Sequence, residues 1–575
     1  MQSTHALRNT FFLLIMALQL AACGGGGGSS SETTPPTVIS QTPTTNLIDQ
    51  SQTFTFVFDE SMNTGSYTLG GKLASASNGG VWSQTTVMND TLTISPQTSW
   101  PVNTEQTLII NARDLAGNPL ATQTRTLAVY RGTLYYVSPA AVDDSGDGLT
   151  PMTAKQTIMA AVNAASNPAT VLVEAGTYPV IYSPVDTRVY LKEGVSLYGG
   201  FNTSFTDRSI GSSIIADQSS LTTTLPNPAF AVLGNTGITA ATLLDGFTLL
   251  GAGSGSNLTA GLRLRDSAAP TVQHGTINGG SGSSASYAIF LENGAAPLIQ
   301  QNTLYGGSGG TSSAGIYSGS SSPVVLNNLI EGGSGGNSSY AVISPGGGPM
   351  QIRANRIFGG SGSDFTAGIS VLRGTHTIDN NLIHAGVGAQ SHGVLNTEGS
   401  VSVRNNTVYG GSGIVKAVGL EFSYSDVFGS SFDIENNIII SPGLSGICIK
   451  SSWPWPPYNN DLYCPTSLYQ YLATDYKGLN ASGNVTVNAN GIGTGLMPPG
   501  LFNVSIDPLL VDIDGPDNNI NTMADNDWHL SASTPMSVKT GGLNGIDQSW
   551  MFTTDKDGVT RPASGTPWSI GAYEP

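Results

Sequence analysis

The residues best suited to gripping a ligand are aromatic, and they recur at a fixed spacing. Tyr305, Phe358 and Tyr409, with His384 before the last, fall in one column of a repeat that also holds Asn278, Glu331 and Ile440. Flat rings set one above another can stack on sugar rings, so this column is a candidate glycan platform. The plainer alternative is a ring stack that covers its own scaffold and adds about 0.5–1.5 kcal/mol per pair. Trp453, Trp455 and Tyr458 form a second aromatic group in the Pro-rich loop 451–463, between Cys448 and Cys464. Long stiff loops are often functional, so a site is expected where this loop meets the ridge; a lid over the flank is the alternative.

Catalytic groups are harder to find. A hydrolase needs two or three facing carboxylates, one with a raised pKa. A lyase needs acids that hold a cation against a uronate, plus a basic side chain. The acids Asp266, Glu292, Glu331, Asp364, Asp379 and Glu398 are scattered. Asp379 and Glu435 share a column, but Arg404 intervenes. No Ser-His-Asp pattern, phosphate loop or zinc spacing is present. The reading leans away from an enzyme and assigns no catalytic residue. Asp512, Asp514 and Asp517, followed by Asp525 and Asp527, have an oxygen-ligand spacing that suits a structural Ca²⁺. Asp143 to Gly148 match half of a calcium loop, but Ala154 stands where a bidentate Glu belongs, so a solvated turn is expected. No other cofactor is implied.

The scaffold is legible from internal repeats. Gly-Gly-Ser-Gly begins at residues 279, 306, 332, 359 and 410, with Ala385-Gly386-Val387-Gly388 in the missing slot. Four residues before these tetrads stands an Asn column: Asn302, Asn328, Asn355, Asn381 and Asn406, continued by Asn437. Stacked amides can hydrogen-bond coil to coil and satisfy the backbone of a tight bend. The Asn column is therefore a structural ladder. Three aliphatic columns accompany it: Val272 to Ile434, Ile277 to Ile439, and Leu262, Ile289, Ile316, Ile343, Ile369, Val394, Leu420. Three inward columns at one period mean three strands per coil, so an all-β parallel β-helix of stacked coils about 4.8 Å apart is expected over residues 131–575. The tetrads supply positive φ at a second bend. The column Gln273, Gln300, Leu326, Arg353, Asp379, Arg404, Glu435 is expected at the surface, its last four members alternating in sign and stacking as an ion-pair ladder.

The flanks agree. Tyr135-Tyr136-Val137-Ser138-Pro139, Asp147-Gly148 and Val171 to Tyr178 resemble the entry of pectin-lyase-like right-handed β-helix proteins; the resemblance implies a short helix over 155–165 capping the core. The run from Asp527-Trp528-His529 to Ile570-Gly571-Ala572-Tyr573-Glu574 is similar to the closing segment of secreted bacterial β-helix proteins, although Val538 to Gly542 departs from the pattern. Residues 35–130 alternate polar and apolar in short runs, as in a β-sandwich. Asp114-Leu115-Ala116-Gly117-Asn118 resembles the end of bacterial Ig-like domains of the S-layer type. Asp59 and Asp114 there are candidate cation ligands, or solvated turn residues.

Residues 1–23 read as a signal peptide ending in Leu20-Ala21-Ala22-Cys23, which resembles the lipobox of bacterial lipoproteins. The resemblance implies a lipid on Cys23, a Gly/Ser tether over 24–34 and, with Gly24 rather than Asp, the outer membrane. Cys448 and Cys464 are close enough to pair in an oxidising compartment. A net charge of −17 argues against nucleic acid and against an unaided grip on polyanionic sugars. Three functions stay open: a surface protein binding a glycan or cell-surface ligand, a polysaccharide lyase or glycoside hydrolase, and a structural spacer.

Overall fold

In a computed structural model the chain is described for residues 32–102, 106–182, 185–218, 228–253, 256–334, 336–423, 432–441, 446–451, 461–463, 467–471, 485–486, 507–523 and 525–575. Cys23, Trp453, Trp455, Tyr458 and Cys464 lie outside the described residues, as does the side chain of Cys448. The expectations of a lipid anchor, a disulfide and an aromatic loop therefore fall there. The chain divides into two compact units. The first is drawn from residues up to Thr44, Ser51–Thr98 and Thr107–Thr126; the second comprises Thr45–Gln50, Ser99–Gln106 and Leu127 onward.

The N-terminal region is a β-sandwich of two four-stranded sheets. In the first sheet, Phe54–Phe58 lies between Val38–Thr42 and Thr91–Pro96, all antiparallel. Strict alternation puts Phe54, Phe56 and Phe58 in its core and Thr55 and Val57 outside. Asp114 is buried and accepts from the Asn118 backbone at 2.8 Å and its amide at 2.7 Å, which closes the Asp-to-Asn turn.

The second unit is a parallel β-helix whose three faces hold eleven, eleven and twelve strands among the described residues. One coil contributes, for example, Val324–Leu326 to the first face, Leu329–Glu331 to the second and Ser338–Ser344 to the third. β-Branched side chains favour these short strands, and the inward columns form one continuous core from Val137 to Ile449. Helix Ile158–Ala164, capped by the Thr157 hydroxyl, adds Ile158, Ala161 and Val162 to that core.

The bend between first and second faces is made by one left-handed residue, such as Asn327 (φ 54°), Ala354 (57°) or Asn380 (57°), followed by the ladder Asn. Each ladder amide is buried. Asn355 Nδ2 donates to Val325 O (3.0 Å), Arg353 O (2.8 Å) and Asn381 Oδ1 (3.0 Å), and its Oδ1 accepts from Asn328 N (2.8 Å) and Nδ2 (3.0 Å). The same pattern joins Asn302, Asn328, Asn381, Asn406 and Asn437. The second glycine of each tetrad has φ between 77° and 92° at Gly280, Gly307, Gly333, Gly360 and Gly411.

The third inward column needs one correction. Ile316 pairs with Val342, and Val342 with Ile369, so Val342 points into the core and Ile343 faces outward. The core residue stands ten positions after the start of its tetrad at 289, 316 and 369, and Val342 keeps that offset from Gly332. Choosing the β-branched Ile over its neighbour slips the register by one, which inverts a strand's faces.

The C-terminal residues fold back along the outside of the first two faces as a strap. Trp528, Val538, Ile570, Ala572 and Tyr573 pack with Leu382, Tyr409, Ile438 and Ile440. Backbone groups of the strap bond Asn380, Asn405 and Asn436 in successive coils: Asn380 Nδ2 donates to Thr554 O, Asn405 Nδ2 to Ser569 O and Gly571 O, and Asn436 Nδ2 to Leu543 O. Arg561 is fully buried, donating to Asn380 Oδ1 at 2.8 Å and, through Nη1, to Glu574 at 2.5 Å.

Candidate functional site

The aromatic column lies on the second face in the expected register, Asn278–Tyr305–Glu331–Phe358–His384–Tyr409–Ile440. The strap divides it. His384 and Tyr409 stack at 4.8 Å beneath Trp528, whose ring centre is 6.5 and 6.4 Å from theirs. Both are buried, as is Ile440, so this half of the candidate platform packs against the strap rather than facing outward. Burial pushes the His384 imidazole down to about 3, and its Nδ1 accepts from Gly386 N. The uncovered half forms an open groove of about 560 Å³, lined by Asn278, Tyr305, Glu331 and Phe358 with the Gly-Ser bends beside them.

The first-face column is in register too, with Arg353 opposite Asp379, Asp379 opposite Arg404 and Arg404 opposite Glu435. It is not at the surface. The strap lays Phe552 under the Arg353 guanidinium at 5.6 Å and Trp550 under that of Arg404 at 5.3 Å. Asp379 is buried, and its nearest cation contact, to Arg353, is 3.6 Å, too long for a charge-assisted hydrogen bond. Burial therefore outweighs both guanidiniums and raises its carboxyl to about 7. The column is a buried join between coil and strap.

Sequence reasoning missed the outer surface of the third face. Rings there form a strip up the coils. Tyr287 stacks on Tyr317 at 4.7 Å, with Phe290 5.2 Å from Tyr317; Tyr340 lies 5.5 Å from Phe365, which stacks on His392 at 4.8 Å. Tyr287, Phe290 and His392 are buried beneath the strip, and Tyr317, Tyr340 and Phe365 are half-buried. The strip ends in a charge cluster. Glu421 accepts from Lys450 at 2.8 Å and from Lys416, and lies 2.9 Å from His392 Nε2. Burial alone would raise the Glu421 carboxyl, but hydrogen bonds from His392, Lys416 and Lys450 hold it well below its ordinary value. Burial lowers the Lys416 ammonium and the His392 imidazole. Two ammonium groups with side chains 21% and 19% exposed meet one carboxylate, a local cation excess within an acidic chain.

The acidic turns behave differently from one another. Asp512, Asp514 and Asp517 do not converge, and Asp517 accepts from its own turn at Asn519 N. They are not among the carboxylates that come together as a group of three. Asp144 accepts from Gln156 N and Thr157 N and so anchors the capping helix. Among the described residues, three carboxylates come within 4.8 Å of one another only at Glu32, Glu60 and Asp114. The Glu60 carboxyl is raised by burial and by the Asp114 charge.

Together these features define a two-part protein, a β-sandwich and a parallel β-helix with two ring-bearing outer surfaces. Residues 32–130 match the bacterial Ig-like domain family. No curated protein matches the chain. Among solved structures, a rhamnogalacturonan lyase is similar at 14% identity and a TM-score of 0.34, over 57% of this chain and 87% of that one. XylC, solved with xylose, is similar at 10% identity and a TM-score of 0.34, over 77% and 98%. The L,D-transpeptidase from Mycobacterium smegmatis is similar at 14% identity and a TM-score of 0.13; the likeness covers 20% of this chain and spans 46% of that protein.

Proposed function

We propose that this chain is a glycan-binding protein carried outside the cell by a lipid on Cys23 in the outer membrane, and that the third-face strip is its binding track. The observation that carries this reading is the half-buried rings Tyr317, Tyr340 and Phe365, on successive coils that lead to the Lys416 and Lys450 ammoniums. Ring faces suit sugar rings, and paired ammoniums suit a carboxylate or sulfate on them. An acidic polysaccharide fits both. The Lys416 amine, 21% exposed at the end of the strip, gives a second reading, cleavage of such a polymer with that amine as base.

Titration of the full-length protein with hexagalacturonate, followed by calorimetry and by product analysis, tests both. Binding without products, lost in the double variant Lys416→Ala/Lys450→Ala, supports the binding protein. Products that disappear in Lys416→Ala move the assignment to an enzyme. Binding unaffected by the double variant removes the track. The anchor is tested separately: Cys23→Ser should release the protein from the membrane fraction.

A further inference from the structure

The second-face groove is a different surface from the third-face strip, and its chemistry differs. It runs along the coils from Asn278 past Tyr305 and Glu331 to Phe358. It stops there because Phe358 packs into the strap's apolar cluster and the next ring, His384, is covered. Four serines, Ser281, Ser308, Ser334 and Ser361, line one lip at steps of 27, 26 and 27 residues, one per coil. Neighbouring coils are about 4.8 Å apart, close to the rise of one hexose unit, so the lip presents a hydroxyl to each successive sugar. The floor alternates ring and polar group: Asn278, Tyr305, Glu331, Phe358.

The lining holds no Lys, Arg or His and one carboxylate, Glu331. That composition selects against anionic polymers and suits sugar hydroxyls, which donate to carboxylates and serines. Burial raises the Glu331 carboxyl above its ordinary value.

We propose that this groove is a second carbohydrate site, which binds a neutral glycan chain lying along the β-helix axis, with sugar faces on Tyr305 and Phe358 and hydroxyls on Glu331, Asn278 and the serine lip. It stands independently of the third-face track. A chain with both sites would hold an acidic and a neutral polysaccharide at once.

The test uses the full-length protein with cellohexaose, mannohexaose and xylohexaose as neutral probes and hexagalacturonate as the acidic one, read by calorimetry. At least one neutral probe should bind. The expected loss in Tyr305→Ala/Phe358→Ala is about tenfold or more in affinity, about 1.4 kcal/mol at the tenfold level. Because Phe358 also touches the strap, Ser308→Trp serves as the second variant: Ser308 is exposed, and an indole there fills the groove without disturbing packing. It should abolish neutral binding and leave hexagalacturonate unaffected. Lys416→Ala/Lys450→Ala should do the reverse. The proposal is overturned if no neutral hexaose binds, if Ser308→Trp leaves neutral binding intact, or if the lysine variant removes it.

Discussion

Asn355 sits in the middle of the amide ladder, and replacing it tests whether the ladder holds the coils together. Its side chain makes five hydrogen bonds, three donated and two accepted. Asn355→Ala removes all five and strands the buried Asn328 N–H, whose acceptor was Asn355 Oδ1. One unsatisfied buried donor costs about 1–3 kcal/mol. With the lost contacts to the Val325 and Arg353 carbonyls, the total should be about 2–4 kcal/mol. Asn355→Asp is nearly isosteric yet should cost more at pH 7. Its second oxygen would face two carbonyls and the Asn381 Oδ1 at 2.8–3.0 Å, all acceptors. Protonation at pH 4 should recover part of that loss. Asn302, at the ladder's end, accepts only from Gly275 N through its Oδ1 and should be less sensitive. Repeat arrays need not unfold in one step, so the readout is urea unfolding together with native-state exchange of the Asn328 amide. A loss below 0.5 kcal/mol for Asn355→Ala, or Asp tolerated better than Ala at pH 7, would refute the account.

Four further outcomes follow from the same geometry. The Asp379 carboxyl, near 7 when folded, lies above its unfolded value of about 3.9; the folded state holds the proton more tightly, so this stability is full below pH about 4 and is lost as pH rises through about 7. Asp379→Asn should therefore match the parent at pH 4 and exceed it at pH 8, by up to about 4 kcal/mol; equal stability at both pH values in thermal melts would contradict the raised value. Arg561→Met leaves Glu574 without its cation and Asn380 Oδ1 without its donor, and should loosen the strap by about 3 kcal/mol or more, seen as faster proteolysis between Thr540 and Glu574. Val342→Ser should destabilise by about 1–3 kcal/mol while Ile343→Ser stays within about 0.5 kcal/mol; the reverse order would restore the register expected from sequence. Gly333→Ala should cost about 2 kcal/mol or more, since φ is 92° and a Cβ would lie 2.2 Å from the Gly307 carbonyl oxygen, measured by the same melts.

Much of the β-helix can be read from the sequence because each coil repeats one physical problem. A bend that needs a left-handed residue and a satisfied backbone selects Asn at one position, and a packed interior selects aliphatics at fixed offsets from it. Column reading failed where the offset had to choose between Val342 and Ile343. It failed again on the third face, where Tyr287 and Tyr340 share one column, Phe290 and Tyr317 another, and Phe365 a third. No single column carries the strip; only the side chains' reach across columns assembles it. The strap's cover was invisible for another reason. It joins Arg353 to Met551 and Asn380 to Thr554 across 198 and 174 residues, and nothing periodic links them. Half of the proposed ridge and the whole ion-pair ladder changed meaning for that cause alone.

The strap also alters how the array can come apart. In a plain solenoid each coil feels only its neighbours, so an end can fray one turn at a time. Here Asn380, Asn405 and Asn436 bond to one continuous segment outside the stack. Peeling any one of these coils requires lifting the segment that also grips the other two. Under tension this stretch should yield as one block in a single large rupture event, while coils upstream of Arg353 give way in small successive steps.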